Sequence, residues 1–321
     1  MENILICSYF CFFVDTHSNA QKNGTLGLYM APPIHIVFAG TPAFAVPSLE
    51  ALAANGAFSV DLVITQTDKP VGRKGIITPP PVKITAERLG IPVWQPENIN
   101  DAATHTKLDV LHCDYLVVVA YGQLLKEPLL ALPKIAPINL HASLLPRWRG
   151  ASPIQHAILA GDTTTGATVQ RMIQKLDAGP VLAQQSLSID PRETYTLLHD
   201  RLAVIGANLL VQTLTADLKP VDQSTKDMTI CKKLTRASGI INPRMMTAEE
   251  IDRHVRALSP WPGVTMSLEN GATLKILKSE LCNATDASPL LCKDQTVLYL
   301  ASVQAPGGKP ITGKEWERCK R

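Results

Sequence analysis

The chain has 321 residues, 45% apolar and 18% charged, a composition that excludes a disordered chain and suits a large folded domain with a smaller one attached. The formal net charge of +3 is unevenly placed: residues 1–218 carry 15 Lys/Arg against 17 Asp/Glu, whereas residues 219–321 carry 16 against 11. That last third favours a polyanion such as nucleic acid, although a mildly basic solvated surface has the same composition.

The first 30 residues stand apart. Ile4 to Val14 is largely apolar, but Glu2 precedes it, and Lys22 is the only Lys or Arg there. Neither a signal peptide nor an Arg-rich transit peptide is supported. Met30 stands just before the first strand, so residues 1–29 read as an upstream extension and residues 1–33 as non-core. No stretch reaches the roughly 18 apolar residues of a membrane helix. A membrane partner is therefore not expected, and a monomer is the simplest state. Seven scattered cysteines without a C-x-x-C pair argue against a disulfide framework or a zinc site and fit a reducing, cytoplasmic setting.

Ile34–Ala39 predicts a buried strand, followed by a Gly40-Thr41-Pro42 turn and a helix to about Asn55. Val60–Thr65 is a second strand. Residues 66–81 form a long loop that Pro and Gly keep out of regular structure. A helix over Val82–Leu89 and a short strand over Ile91–Trp94 follow. Tyr115–Ala120 is a continuous apolar strand, as in a sheet covered on both faces. Ile135–His141 is another strand, Pro153–Ala160 a helix, and Ala167–Ile173 and Val181–Ile189 two further strands. Asp190-Pro191-Arg192-Glu193 has the pattern of an N-cap, a proline at N1 and a glutamate at N3, opening a helix to about Leu218. Alternating strands and helices predict a Rossmann-like, doubly wound α/β domain over 34–218, with its ligand beyond the carboxyl ends of the strands.

The pattern changes after Pro220. Residues 219–240 read as a linker and 241–321 as a small β-rich module, possessing a Thr247–Glu250 capping box and an Asn270-Gly271 type I′ hairpin signal.

Chemistry concentrates in Asn139-Leu140-His141. Strand alternation sets Asn139 and His141 on one face, where an amide can donate to an oxyanion and an imidazole can exchange a proton. Two polar residues where a strand surfaces give the same pattern. Asp177, in Leu176-Asp177-Ala178-Gly179, lies between two strands and can orient a histidine or merely cap a turn. There is no G-x-G-x-x-G after the first strand and no H-E-x-x-H, which weakens a dinucleotide reading and leaves no metal site expected.

These landmarks carry a resemblance. F-A-G-T-P at 38–42, the basic Pro-rich loop at 66–83, V-V-V-A-Y-G at 117–122, N-L-H-A-S-L-L-P-R-W-R-G-A-S-P-I-Q at 139–155, L-D-A-G at 176–179 and S-P-W-P at 259–262 are similar to the 10-formyltetrahydrofolate-dependent formyltransferases. The basic loop, R-W-R-G and the C-terminal module point to the methionyl-tRNA-acting branch. The resemblance runs from about residue 34 to the C-terminus. It implies a Rossmann-like domain joined to an OB-like β-barrel, and transfer of the formyl group of 10-formyltetrahydrofolate to the α-amine of initiator methionyl-tRNA. It implies Asn139, His141 and Asp177 as the catalytic trio, and Ser143, Leu144, Leu145 and Pro146 as the folate-binding segment. It also implies Lys69, Arg73, Lys74 and Lys83 as the tRNA-facing cations. Ala142 departs from the glycine frequent in the family motif. Competing readings are a formyltransferase acting on a small amine, a folate- or RNA-binding protein without catalysis, and a nucleotide-binding α/β protein.

Overall fold

The computed structural model describes residues 32–72 and 74–319. The expected extension over 1–29 and the candidate Arg73 lie outside the described residues.

In chain order the first part comprises β1 (Ile34–Gly40), α1 (Val46–Ala54), β2 (Phe58–Ile64), β3 (Lys69–Val71), β4 (Ile76–Thr78), α2 (Pro81–Arg88) and β5 (Val93–Trp94). Next come α3 (Ala102–Asp109), β6 (Tyr115–Val119), α4 (Glu127–Leu130), β7 (Ala136–His141), β8 (Arg149–Gly150) and α5 (Pro153–Ala160). Strands β9 (Thr164–Arg171) and β10 (Val181–Ser188) and the long helix α6 (Tyr195–Leu214) complete it. Seven of these strands make one sheet in the order β10-β9-β7-β6-β1-β2-β5. The five from β7 to β5 run parallel, and β9 and β10 are antiparallel additions.

Side-chain alternation along each strand sorts the apolar residues into two cores. Ile36, Phe38, Val117 and Ile138 join Leu49 of α1 and Leu202 and Leu210 of α6 on one face. Val37, Ala39, Leu116 and Val118 join Leu108 of α3 and Leu129 and Leu130 of α4 on the other. Coverage of both faces is why β6 reads as an unbroken apolar run. β1 has β6 on one side and β2 on the other, so the winding reverses there. A crevice opens beyond the carboxyl ends of strands at such a point.

Several details differ from expectation. Residues 66–81 contain the β3–β4 hairpin, paired Lys69 to Thr78 and Val71 to Ile76. A two-stranded ribbon has only edges, so Pro70 is tolerated, and Gly72 and Gly75, both at positive φ, make the turn. Helix α3 has no apolar period from which to expect it; Asp101 caps it by accepting from the Thr104 N–H. Asp190-Pro191-Arg192-Glu193 forms a separate turn, and α6 starts at Tyr195. Glu193 is buried and ion-paired with Arg201 instead of serving as a helix residue.

Beyond residue 218, the expected linker carries β11 (Ile230–Cys231), which pairs in parallel with β8. Helix α7 (Ala248–Leu258) follows, with both halves of the Thr247–Glu250 capping box formed. Its buried residues Ala248, Ile251, Val255 and Leu258 recur at spacings of three and four, giving one apolar face. Antiparallel strands β12 (Val264–Ser267), β13 (Thr273–Glu280), β14 (Ser288–Leu291), β15 (Val297–Gln304) and β16 (Ile311–Thr312) form the second sheet, in the order β12-β13-β15-β14 with β16 also on β15. Only Gly271 of the Asn270-Gly271 pair has positive φ. The Gly271 N–H bonds to the Leu268 carbonyl, and the Leu268 N–H to the Ala272 carbonyl. The β12–β13 loop is thus a three-residue turn with glycine in the left-handed position, not a type I′ turn. Among the described residues, no helix is long and apolar enough to cross a membrane.

Candidate active site

Strand β7 ends on Asn139-Leu140-His141, and its register with β9 sets Asn139 opposite Gln170. Opposite residues of an antiparallel pair share a face, so both amides point the same way. Both reach Asp177: Gln170 Nε2 donates to Oδ1 at 3.1 Å, and Asn139 Nδ2 lies 3.4 Å from the same oxygen. The backbone N–H of Gly150 donates to Oδ2 at 2.9 Å. His141 Nδ1 lies 3.7 Å from Oδ2, beyond hydrogen-bond length but close enough for charge attraction. On the other side of the ring, Nε2 is 2.8 Å from the Trp148 carbonyl oxygen. A carbonyl only accepts, so Nε2 carries a proton, and Nδ1 is the nitrogen left to exchange one with the carboxylate side.

Asp177 has φ +48° and Trp148 φ +61°, a left-handed conformation that non-glycine residues adopt only when surrounding contacts hold them there. Several contacts do so. The Trp148 N–H donates to Thr229 Oγ1 at 2.8 Å, and Gln223 Nε2 donates to the Asp177 carbonyl at 3.0 Å and the Gly179 carbonyl at 2.7 Å. Gly150 and Gly179 are demanded by close approach: a Cβ would stand 2.3 Å from the Cys231 oxygen at the first and 1.8 Å from the Arg171 oxygen at the second.

Asn139, His141 and Asp177 line a cleft of about 720 Å³. Its other walls are mostly apolar and include Tyr121, Leu125, Met172 and Ile173. Burial pushes the Tyr121 hydroxyl up to about 12, so it stays protonated near neutral pH. Phe44, Tyr195 and His199 form an aromatic cluster on the wall, with the His199 ring 5.4 Å from Phe44 and 5.5 Å from Tyr195. The cleft can take a flat, largely apolar ligand and set its polar end against an amide, an imidazole and a carboxylate.

The structure brings the trio together and separates the other expected residues from it. Ser143, Leu144, Leu145 and Pro146 lie off the cleft lining. Ser143 is fully buried, donates from Oγ to the Arg147 carbonyl at 2.6 Å, and accepts at its own carbonyl from Thr168 Oγ1. Leu145 donates its N–H to Thr168 and accepts from Gln184. This turn fixes the approach from β7 to Trp148. Lys69 and Lys74 are exposed on and beside the hairpin, away from the cleft lining. Lys83 is committed to Asp68 at 2.9 Å, and hydrogen bonds from Gln95 and then Lys83 hold that carboxyl below its usual range. Reading the sequence missed Gln170 and Gln223. Strand register could have found the first; nothing local marks the second.

A formyl transferase family model matches residues 34–214, and a formyl transferase C-terminal domain model matches residues 233–321. A methionyl-tRNA formyltransferase of Halorhodospira halophila is 47% identical over 252 residues, covering 77% of this chain and 80% of its own length. One from Methylococcus capsulatus is 41% identical over 298 residues, covering 88% and 96%. Among solved structures, the Helicobacter canadensis N-formyltransferase in complex with folinic acid and dTDP-3-aminofucose aligns with a TM-score of 0.62 at 19% identity, over 83% of this chain and 98% of that one. A methionyl-tRNA formyltransferase from Clostridium thermocellum aligns with a TM-score of 0.59 at 14% identity, over 85% and 98%. The structural likenesses speak for the fold, and the sequence relatives speak for the family. The chain belongs to the formyl transferase family, within its methionyl-tRNA formyltransferase group.

Proposed function

We propose that the chain transfers the formyl group of 10-formyltetrahydrofolate to the α-amine of methionyl initiator tRNA, acting as a cytoplasmic monomer. Residues 34–218 would carry the chemistry, and 219–321, with 16 Lys/Arg against 11 Asp/Glu, would add basic charge for the RNA. The observation that carries this reading is the convergence of Asn139, His141 and Asp177 on one mostly apolar cleft at the switch point of the sheet. The full-length relatives bearing the methionyl-tRNA formyltransferase name support the choice of acceptor.

The bound folate supplies the formyl carbon on its N10. Asn139 has an amide N–H to spare beyond its long contact with Asp177, and donates it to the oxyanion that develops as the amine attacks that carbon. His141 Nε2–H rests on the Trp148 carbonyl and reaches the same oxyanion by sharing or exchanging that acceptor; such bonds tighten once substrates are bound. The His141–Asp177 pair takes the proton released by the amine and returns it to the departing N10, so the C–N bond made and the C–N bond broken leave no net charge behind. Lys69, Arg73 and Lys74 would meet the acceptor-stem phosphates, which position without reading sequence.

The test is formyl transfer from 10-formyltetrahydrofolate to initiator methionyl-tRNA, elongator methionyl-tRNA and free methionine. Rapid formylation of the initiator alone is expected. Transfer only to a small amine would move the chain to a different acceptor.

A further inference from the structure

The segment between the two halves is more than a tether. Its strand β11 pairs with β8, and the Arg149 N–H bonds to the Thr229 carbonyl, the Ala151 N–H to the Cys231 carbonyl and the Trp148 N–H to Thr229 Oγ1. Cys231 Sγ donates to the same Trp148 carbonyl that holds His141. Gln223 bonds on two sides. Its Oε1 accepts from Arg149 Nε and Nη2 at 2.9 and 2.7 Å, while its Nε2 donates to the carbonyls of Asp177 and Gly179. One amide therefore joins the turn that carries His141's partner to the turn that carries Asp177. Both turns hold a non-glycine residue at positive φ, a conformation that survives only where it is held from outside.

We infer that Gln223 is a positioning residue for formyl transfer, setting the His141–Asp177 distance through its bonds to Arg149 and to the Asp177 backbone. It touches no reacting atom and is absent from the cleft lining. Its effect therefore falls on turnover and passes through Asp177. The inference rests on the catalytic reading of Asp177 given above.

The test compares kcat and KM for donor and acceptor in Gln223→Ala, Asp177→Ala and the double variant of the full chain. Misplacement of a catalytic group by about 1 Å can lower turnover on the order of 100-fold. Gln223→Ala should lower kcat about 10- to 100-fold, leave KM for the folate within about twofold, and add no further loss in the Asp177→Ala background, because residues acting as one unit are non-additive. Unchanged kcat, a loss confined to KM, or a full additional loss in the double variant would overturn it. Gln223→Glu keeps the acceptor for Arg149 and loses the donors to the Asp177 turn. It carries the same expectation should Gln223→Ala fail to fold. Native turnover in Asp177→Ala breaks the catalytic reading itself, whereas loss in Asp177→Ala with none in Gln223→Ala breaks only the positioning role.

Discussion

The cleft and the β3–β4 hairpin are built in opposite ways. Asp177 takes hydrogen bonds from a backbone N–H and from neighbouring amides, and His141 is buried between a carbonyl and a carboxylate. The hairpin is a two-stranded ribbon whose Val71, Ile76 and Ile77 are each more than half exposed and whose Lys69 and Lys74 stand in solvent. Its root is better fastened. Thr41 Oγ1 accepts from the Gln66 N–H and donates to the Tyr121 carbonyl, and Lys83 grips Asp68. Chemistry at a formyl carbon needs groups fixed in advance, whereas contact with a phosphate backbone needs reach and charge. The two regions should therefore respond to substitution in different kinetic constants.

The strongest way to break this contrast is His141→Ala or Asn139→Ala. Removal of one oxyanion donor costs about 10²–10³ in kcat, and KM for the folate should move little. A kcat within about threefold of the native chain, far short of that loss, would remove the residue from the chemistry and leave the cleft as a binding site only.

A milder substitution sharpens the other side. Lys69→Ala with Lys74→Ala should raise KM for tRNA several-fold and leave kcat at saturating tRNA unchanged. It should also flatten the dependence of tRNA affinity on salt, by a slope of roughly 0.7–0.9 for each phosphate that the hairpin no longer neutralises. Lys83→Ala is expected to act differently, since Lys83 is already paired with Asp68. An unchanged salt slope in the double variant would take the hairpin off the RNA.

The contrast also sets what the sequence can tell. Asn139 and His141 are legible because strand alternation puts them on one face, and Asp177 because a turn carboxylate can meet a nearby histidine. Gln170 is an ordinary amide until the register of β9 against β7 is known. Gln223 lies 46 residues from the Asp177 carbonyl it bonds, and only the docking of the linker brings them together. The hairpin stays hidden because Pro70 and the flanking glycines read as breakers, a rule that holds for inner strands and fails for a ribbon made only of edges. The displaced start of α6 has a similar cause. Asp190 and Glu193 have cap spacing and do bond, the Asp190 N–H donating to Glu193 Oε2, but the bond closes a separate turn whose buried carboxylate Arg201 pairs with from a partly exposed position, and α6 starts only at Tyr195.

The smallest expected effect concerns the joint between the halves. Helix α7 packs against α5, and Ile251 and Val255 of α7 belong to the same buried core as Ile154 and Ile158 of α5. His254 on that helix donates from Nδ1 to the Glu250 carbonyl at 2.8 Å. Burial, with Arg253 nearby, lowers its pKa below the usual 6.5, outweighing the Glu250 carbonyl and charge. The native chain then binds fewer protons than the unfolded one between the two values. This contribution to stability is complete above the ordinary histidine pKa and is lost as pH falls from there through the lowered native value. Glu250 behaves in the same sense at a lower pH. Its carboxyl is held below the usual glutamate value, first by the Thr247 backbone N–H, so the capping box outlasts the histidine on acidification. His254→Gln should flatten the first part of the acid limb of a Tm-against-pH curve, just below about pH 6.5, and leave the later, carboxylate part in place. A variant with the native curve in that first window would mean that protons reach His254 without weakening the joint, whose hold then lies in the apolar face of α7 and in contacts such as Arg253 Nε to the Leu159 carbonyl.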